Sequence, residues 1–359
     1  MKELLLLFIS LTASSLFSQA INSENFNSLA IGNVGSVITG ASAGAGGLYT
    51  YASNGTAPTT ATNAANTNFQ IVSNDATHGN VLQIIGTNGD KGSRYVWVGG
   101  LATAWTSRTS GNNIIEFEFE FYTGAGGGSN NLAGVSIYDA AGSKVLGGFS
   151  YNTNTRAISG VGYYAPAPVD PLTTGNYLFY LGATSGTNLI LTANTWVRVG
   201  VSFNKTTGKV TWKGPGFNGF VTGAAVGVDP DEIDFTSTSG TTTVAPIVTN
   251  TSAATILIDN FVTRASATDT LLETDSFNLA ASKFSVSPNP ANDFITVTNS
   301  DNILVSGISI TDLNGRVVKQ NNYTNVSDIQ VNVSDLASGM YMMNISSDKG
   351  YVTKKIVKN

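Results

Sequence analysis

Three glutamates alternate along one stretch of this 359-residue chain. Glu116, Glu118 and Glu120 interleave with Ile115, Phe117, Phe119 and Phe121. A strand here puts the carboxylates on one face and the apolar side chains on the other. Same-face carboxylates on a strand lie about 6.5–7 Å apart at Cα, against about 5–5.5 Å between the carboxyl groups of a retaining glycosidase. The row therefore admits acid–base cleavage of a glycosidic bond, although a solvated outer face explains it more simply. A second acidic group, Asp229-Pro230-Asp231-Glu232-Ile233-Asp234, offers Asp229, Asp231 and Asp234 as ligands for Ca²⁺, which takes about six to eight oxygens. The plainer reading is a short helix near 231–235, capped by Asp229 with Pro230 in its first turn. Glu24 and Asp259 are a further candidate pair for a structural Ca²⁺ if the first and last strands meet; a hydrogen-bonded carboxylate closing the fold is the alternative. Trp105 and the Tyr163-Tyr164 pair lie among Gly, Pro and Ser and suit stacking on sugar rings. Trp196 and Trp97 read as core.

Composition removes other chemistries. With no Cys there is no disulfide, thiolate nucleophile or cysteine lipid anchor. One His excludes a zinc site with two His ligands. That residue, His78 in Asp75-Ala76-Thr77-His78-Gly79-Asn80, reads as a polar turn residue. The formal charge is −5 and the pI about 4.9, so no basic stripe serves a nucleic acid. Neither zinc nor a nucleotide cofactor is expected.

The elements that must position these residues follow from the pattern. Lys2, the apolar run Leu4 to Leu11 and the small residues of Ser18-Gln19-Ala20 form a signal peptide over 1–20. Its apolar run is too short for a membrane span of about 20 residues, and no later segment approaches one. Residues 21–265 read as strand after strand. Val197 to Phe203 turns through Asn204-Lys205-Thr206-Thr207-Gly208 into Lys209–Trp212, a hairpin, and Thr255–Thr263 forms a last strand. The fold class is all-β, with two packed sheets over 21–265. Residues 266–283 read as a polar linker. Residues 284–359 form a second, smaller sandwich, with hairpins around Asn314-Gly315 and Asp348-Lys349-Gly350.

The segment 284–359 resembles the type A sorting domain of the type IX secretion system of Bacteroidetes. SPNPANDFITV (287–297), ITDLNGRVVK (310–319), LASGMYMMNI (336–345) and KKIVK (354–358) occur in that family's order. The resemblance implies an Ig-like sandwich that escorts its passenger across the outer membrane to the cell surface or the medium. A sortase-like peptidase then removes it, and the passenger is joined to surface lipopolysaccharide or released. The residues matching the family's motifs are Pro288, Asn289, Pro290, Asp293, Asn314, Gly315, Gly339, Tyr341, Lys354, Lys355 and Lys358. Physically, the two prolines bend the chain at the domain entry, Gly339 supplies a positive φ, and the lysines guard a terminal edge strand. Asp269-Thr270-Leu271 resembles the Bacteroidetes O-glycosylation acceptor, with Thr270 as the modified residue.

Thr195-Trp196-Val197-Arg198-Val199 and the hairpin after it resemble the laminin-G/concanavalin-A-like jelly roll. Glu24-Asn25-Phe26 and Ile258-Asp259-Asn260-Phe261 are similar to its end strands. That resemblance implies a glycan-binding or adhesion module carrying Ca²⁺. Laminarinase-type hydrolases of this shape place an Asp between their two Glu residues, whereas Glu118 stands there in this chain. The expectation is a non-catalytic binder of extracellular glycans. A polysaccharide-cleaving hydrolase and a structural surface protein are the alternatives.

Overall fold

The computed structural model describes residues 18–166, 173–243, 245–272, 284–299, 304–312, 317–326, 328–347 and 350–359. The chain forms two compact units. The first runs to Asp269, and the second begins at Thr270; Asn25–Ser28 and Asn74–Val81 group with the second. Residues 1–17 of the expected signal peptide and residues 273–283 of the expected linker lie outside the described residues.

The first unit opens with β1 (Gln19–Glu24), β2 (Gly32–Asn33), β3 (Leu48–Ser53), β4 (Phe69–Ser73), β5 (Asn80–Ile85) and β6 (Ser93–Val98). A short helix α1 (Leu101–Thr106) leads into β7 (Ile114–Tyr122), β8 (Leu132–Tyr138), β9 (Val145–Asn152) and β10 (Ala157–Tyr164). Then come β11 (Gly175–Tyr180), β12 (Leu189–Ile190), β13 (Trp196–Asn204), β14 (Lys209–Gly214), β15 (Phe217–Thr222), β16 (Glu232–Thr238) and β17 (Thr255–Ser266). One sheet has the order β15-β14-β13-β7-β17-β5-β4-β2, with β1 also paired to β17. The other has the order β11-β10-β9-β8-β16-β6-β3, with β12 also on β10. The pairs β1–β17, β13–β7, β16–β8 and β17–β5 are antiparallel, and the chain crosses repeatedly between the sheets as in a jelly roll.

The alternation along β7 sets the core. Phe117, Phe119 and Phe121 are buried and meet the facing sheet: Phe119 lies 5.4 Å from Phe235 and 6.3 Å from Phe149, and Phe121 lies 5.0 Å from Tyr151. Tilted and edge-to-face pairs of this kind add about 0.5–1.5 kcal/mol each beyond their buried area. The expected hairpin is β13–β14, with Val201 opposite Trp212. Gly208 closes it at φ +72°, where an added Cβ would lie 2.7 Å from the Gly223 carbonyl.

The second unit holds β18 (Phe284–Ser287), β19 (Phe294–Asn299), β20 (Val305–Thr311), β21 (Val317–Val326), β22 (Ile329–Asn332), β23 (Gly339–Ser347) and β24 (Gly350–Lys358). Sheets β18-β19-β22 and β21-β20-β23-β24 share one core that includes Val297, Ile308, Ile310, Val331, Met343 and Ile345. The lysine-bearing β24 is the edge strand of its sheet. Asn289 braces it, donating from Nδ2 to the Lys355 carbonyl (2.8 Å) and accepting from the Val357 N–H (2.8 Å). Gly339 has φ +156°, and the Tyr341 hydroxyl donates to the Ala337 carbonyl at 2.9 Å. The Asp293 carbonyl accepts from the Val333 N–H at 2.7 Å. Asn314 and Gly315 lie outside the described residues.

Candidate functional site

The glutamate row is correctly placed on one face of β7, but that face is not solvated. Glu116 and Glu118 are fully buried. β13 brings Arg198 opposite Glu120, and β17 brings Arg264 opposite Glu116. Arg264 reaches Glu116 (3.4 Å) and Glu118, while Arg198 reaches Glu118 (2.7 Å) and Glu120 (3.5 Å). The Ser266 hydroxyl adds a bond to Glu116 at 3.1 Å. The row is an ion-paired ladder along the sheet, and the open carboxylate pair that glycoside cleavage requires is not formed by Glu116 and Glu118.

The acidic run 229–234 is not a helix start. Ile233 and Phe235 alternate with Glu232, Asp234 and Thr236 and form β16, with Phe235 in the core. Asp229 instead accepts at one oxygen from the Trp105 indole N–H (2.7 Å) and the Lys205 ammonium (2.6 Å). Burial opposes its ionisation, but those two partners prevail and lower its pKa. Asp231 N–H donates to the Tyr138 carbonyl at 2.8 Å. Among the described residues, Asp229, Asp231 and Asp234 do not gather as a ligand set. Extended backbone carries them apart.

Glu24 ends β1, opposite Phe261. Asp259 is buried, and its carboxylate has an oxygen within 4.8 Å of one from Glu120. The Asn260 side-chain amide donates to Glu120 (2.8 Å) and to Asp259 (3.1 Å), on a bulge where Asn260 has φ +48°. Two carboxylates this close offer oxygens of the kind Ca²⁺ takes, and the Asn260 amide as placed bridges them through its N–H groups. His78 sits in a turn, its Nδ1 3.1 Å from Asp75. At the start of the expected linker, Asp269 accepts from the Ser202 hydroxyl (3.2 Å) and faces Lys213 (3.8 Å). Thr270 beside it is half-buried and Leu271 fully buried, so this part of the segment is packed.

Two of the aromatic expectations, those for Trp105 and Trp97, are reversed. Trp105 is buried on α1, with Arg108 stacked 3.9 Å over its ring, so it is no exposed platform. Tyr163 and Tyr164 stand at the end of β10 and are half-buried. Lys144 lies 5.7 Å from the Tyr163 ring, while Tyr164 packs edge-on against Phe179. Trp97, expected in the core, turns the other way. Val96 on β6 pairs with core Phe235, so Tyr95 and Trp97 face outward. Across from them on β3 stand Tyr51 and Tyr49. Trp97 stacks on Tyr49 with 5.5 Å between centroids and 15° between planes; Tyr51 meets Tyr95 at 6.0 Å and is 39% exposed.

Behind these rings lie two carboxyl groups. Asp234 stands opposite Trp97 on β6 and Ser136 on β8, and Glu232 stands opposite Tyr138. Burial, then the neighbouring Glu232, pushes the Asp234 pKa up to about 8. Burial also raises Glu232 and the Tyr138 phenol. An aromatic row beside a proton-holding acid pair can stack on a sugar ring and exchange hydrogen bonds with its hydroxyls. Period-two alternation in Ser93–Val98 was the available signal for this face.

Residues 285–359 match the secretion system C-terminal sorting domain, so the chain carries a sorting domain at its C-terminal end. No curated protein matches the sequence. Among solved structures, the chain is similar to the CBM2 module of the evolved Dit of Lactobacillus casei BL23 phage J-1, at 10% identity, 70% coverage of this chain, 97% of that one and a TM-score of 0.36. Alginate lyase vAL-1 from Chlorella virus gives 13% identity, 55% and 88% coverage and a TM-score of 0.34. The binding domain of botulinum neurotoxin serotype D/C VPI 5993 gives 11%, 79% and 73%, and 0.34. At such scores these likenesses carry no argument about this chain.

Proposed function

We propose that the chain is exported by the type IX secretion system of a Gram-negative Bacteroidetes cell and acts outside it as a non-catalytic glycan-binding module. The sorting-domain match supports export. A sortase-like peptidase would cut before the sorting domain, leaving the sandwich released or joined to lipopolysaccharide. The observation that carries the binding reading is the outward row of Tyr51, Tyr95, Trp97 and Tyr49 on one sheet face. Aromatic faces of this kind supply rigid, amphipathic contact area at small entropic loss. Ca²⁺ belongs to this reading as a structural ion at Asp259 and Glu120. Its removal by chelator is expected to lower the melting temperature, and a melting temperature indifferent to both ion and chelator contradicts that assignment. The binding test is retention of the purified chain on immobilised polysaccharides, scored together with released reducing ends. Retention without release supports a binder, and release would make the protein a hydrolase. If neither occurs across a broad panel, the structural reading replaces this one.

A further inference from the structure

The outward positions of β3, β6, β16 and β8 include two carboxyl groups and no Lys or Arg among the described residues. Asp231, just before β16, adds a third acid near Glu232. Lys144, beyond the end of β8, is held by Asp139 at 3.8 Å. Asp234 is 6% exposed, and its Oδ1 has no hydrogen-bond partner. A buried acceptor left in that condition is destabilising until a donor reaches it, and a donor that also carries positive charge makes the stronger bond.

We propose that this face selects sugars bearing an ammonium group, as in a deacetylated, glucosamine-type polysaccharide, and rejects uronates and sulfated glycans. The inference rests on the glycan-binding reading above and names its ligand class. An ammonium group has three donors and no acceptor. The Glu232 carboxylate, half-buried at the face, accepts one of them, with Asp234 directly behind it on the same side of β16. Trp97 stands opposite Asp234 and Tyr138 opposite Glu232 on the neighbouring strands, and aromatic faces attract cations. Since Asp234 holds its proton at neutral pH, the pair carries one negative charge, and an approaching cation favours release of the second proton. An anionic sugar meets the Glu232 carboxylate here and, among the described outward positions, no Lys or Arg.

The test is titration calorimetry on the full chain at about pH 6, where amino groups of this class are charged. The ligands are a glucosamine oligosaccharide, its N-acetylated counterpart and a uronate oligosaccharide of equal length. The glucosamine form is expected to bind at least about tenfold more tightly than the acetylated one, with no saturable binding of the uronate. Glu232→Gln, isosteric and lacking the one negative charge of the pair, should bring the glucosamine form down to the acetylated level. Equal or tighter binding of the acetylated or uronate form to the unmodified chain overturns the inference and leaves the glycan reading standing. Binding of none of the three also overturns it, and the polysaccharide panel then decides the glycan reading separately.

Discussion

Asp234 keeps a proton in the folded chain that an ordinary carboxylate has lost. Its pKa rises from 3.8 to about 8 because burial beside Trp97, Ser136 and Tyr138, and then the charge of Glu232, disfavour the ionised form. The folded state therefore holds more protons than the unfolded state between those two values, so stability falls as pH rises through that window and levels off above it. Melting temperatures across pH 4–9 should show this loss in the unmodified chain and a flatter profile in Asp234→Asn, with the variant the more stable of the two at the alkaline end. Identical profiles would contradict the assignment. Trp97 and Trp105 show how much of such a site is legible. The parity of Ser93–Val98 puts Trp97 with Tyr95, opposite Val96, and local sequence is enough to see it. Trp105 is buried through a bond to Asp229, a partner far along the chain, and no local pattern announces that.

At the scale of elements, β7 and β16 make the same point in opposite directions. The alternation of β7 correctly assigns one face to phenylalanines and the other to glutamates. What it cannot say is that β13 and β17 deliver Arg198 and Arg264 onto the glutamate face. For β16, the cap-like Asp229-Pro230 pair suggested a helix, yet the alternation of Ile233 and Phe235 with polar residues is a strand signal and prevails once the core claims both apolar side chains. The ladder predicts that Glu118→Ala, which strips a partner from both arginines, destabilises the first unit by about 3–5 kcal/mol. Chemical denaturation measures this, and a loss below about 1 kcal/mol would mean the ladder behaves like exposed surface pairs. The loops rely on buried amides: Asn131 Nδ2 donates to the Thr87 and Thr238 carbonyls (3.1 Å each), and its Oδ1 accepts from the Ala254 N–H (2.7 Å). An Asn/Thr-rich composition with few charges is consistent with such internal bonding, although which Asn turns inward is set by the tertiary fold.

At the scale of the molecule, the sorting domain was the part most legible in the sequence, because its motifs are local and ordered. The first unit's sheet order and outward face come from long-range pairing. Export by the type IX route predicts that a chain lacking 285–359 accumulates in the periplasm; fractionation of cells expressing it would contradict the assignment if the truncated protein reached the medium or the surface as the full chain does. The central claim is that binding lies on the β3–β6–β16–β8 face. The sequence-chosen Tyr163 stands on β10, four strand positions from β6 and so about 19 Å away at the usual strand spacing. The most direct measurement is the affinity of the full chain for a glycan that it retains, compared with Tyr51→Ala/Tyr95→Ala and with Tyr163→Ala. The double variant is expected to lose about tenfold or more in affinity and Tyr163→Ala to match the unmodified chain. Unchanged binding in the double variant, with loss in Tyr163→Ala, would contradict the account and move the site to the far side of the sheet.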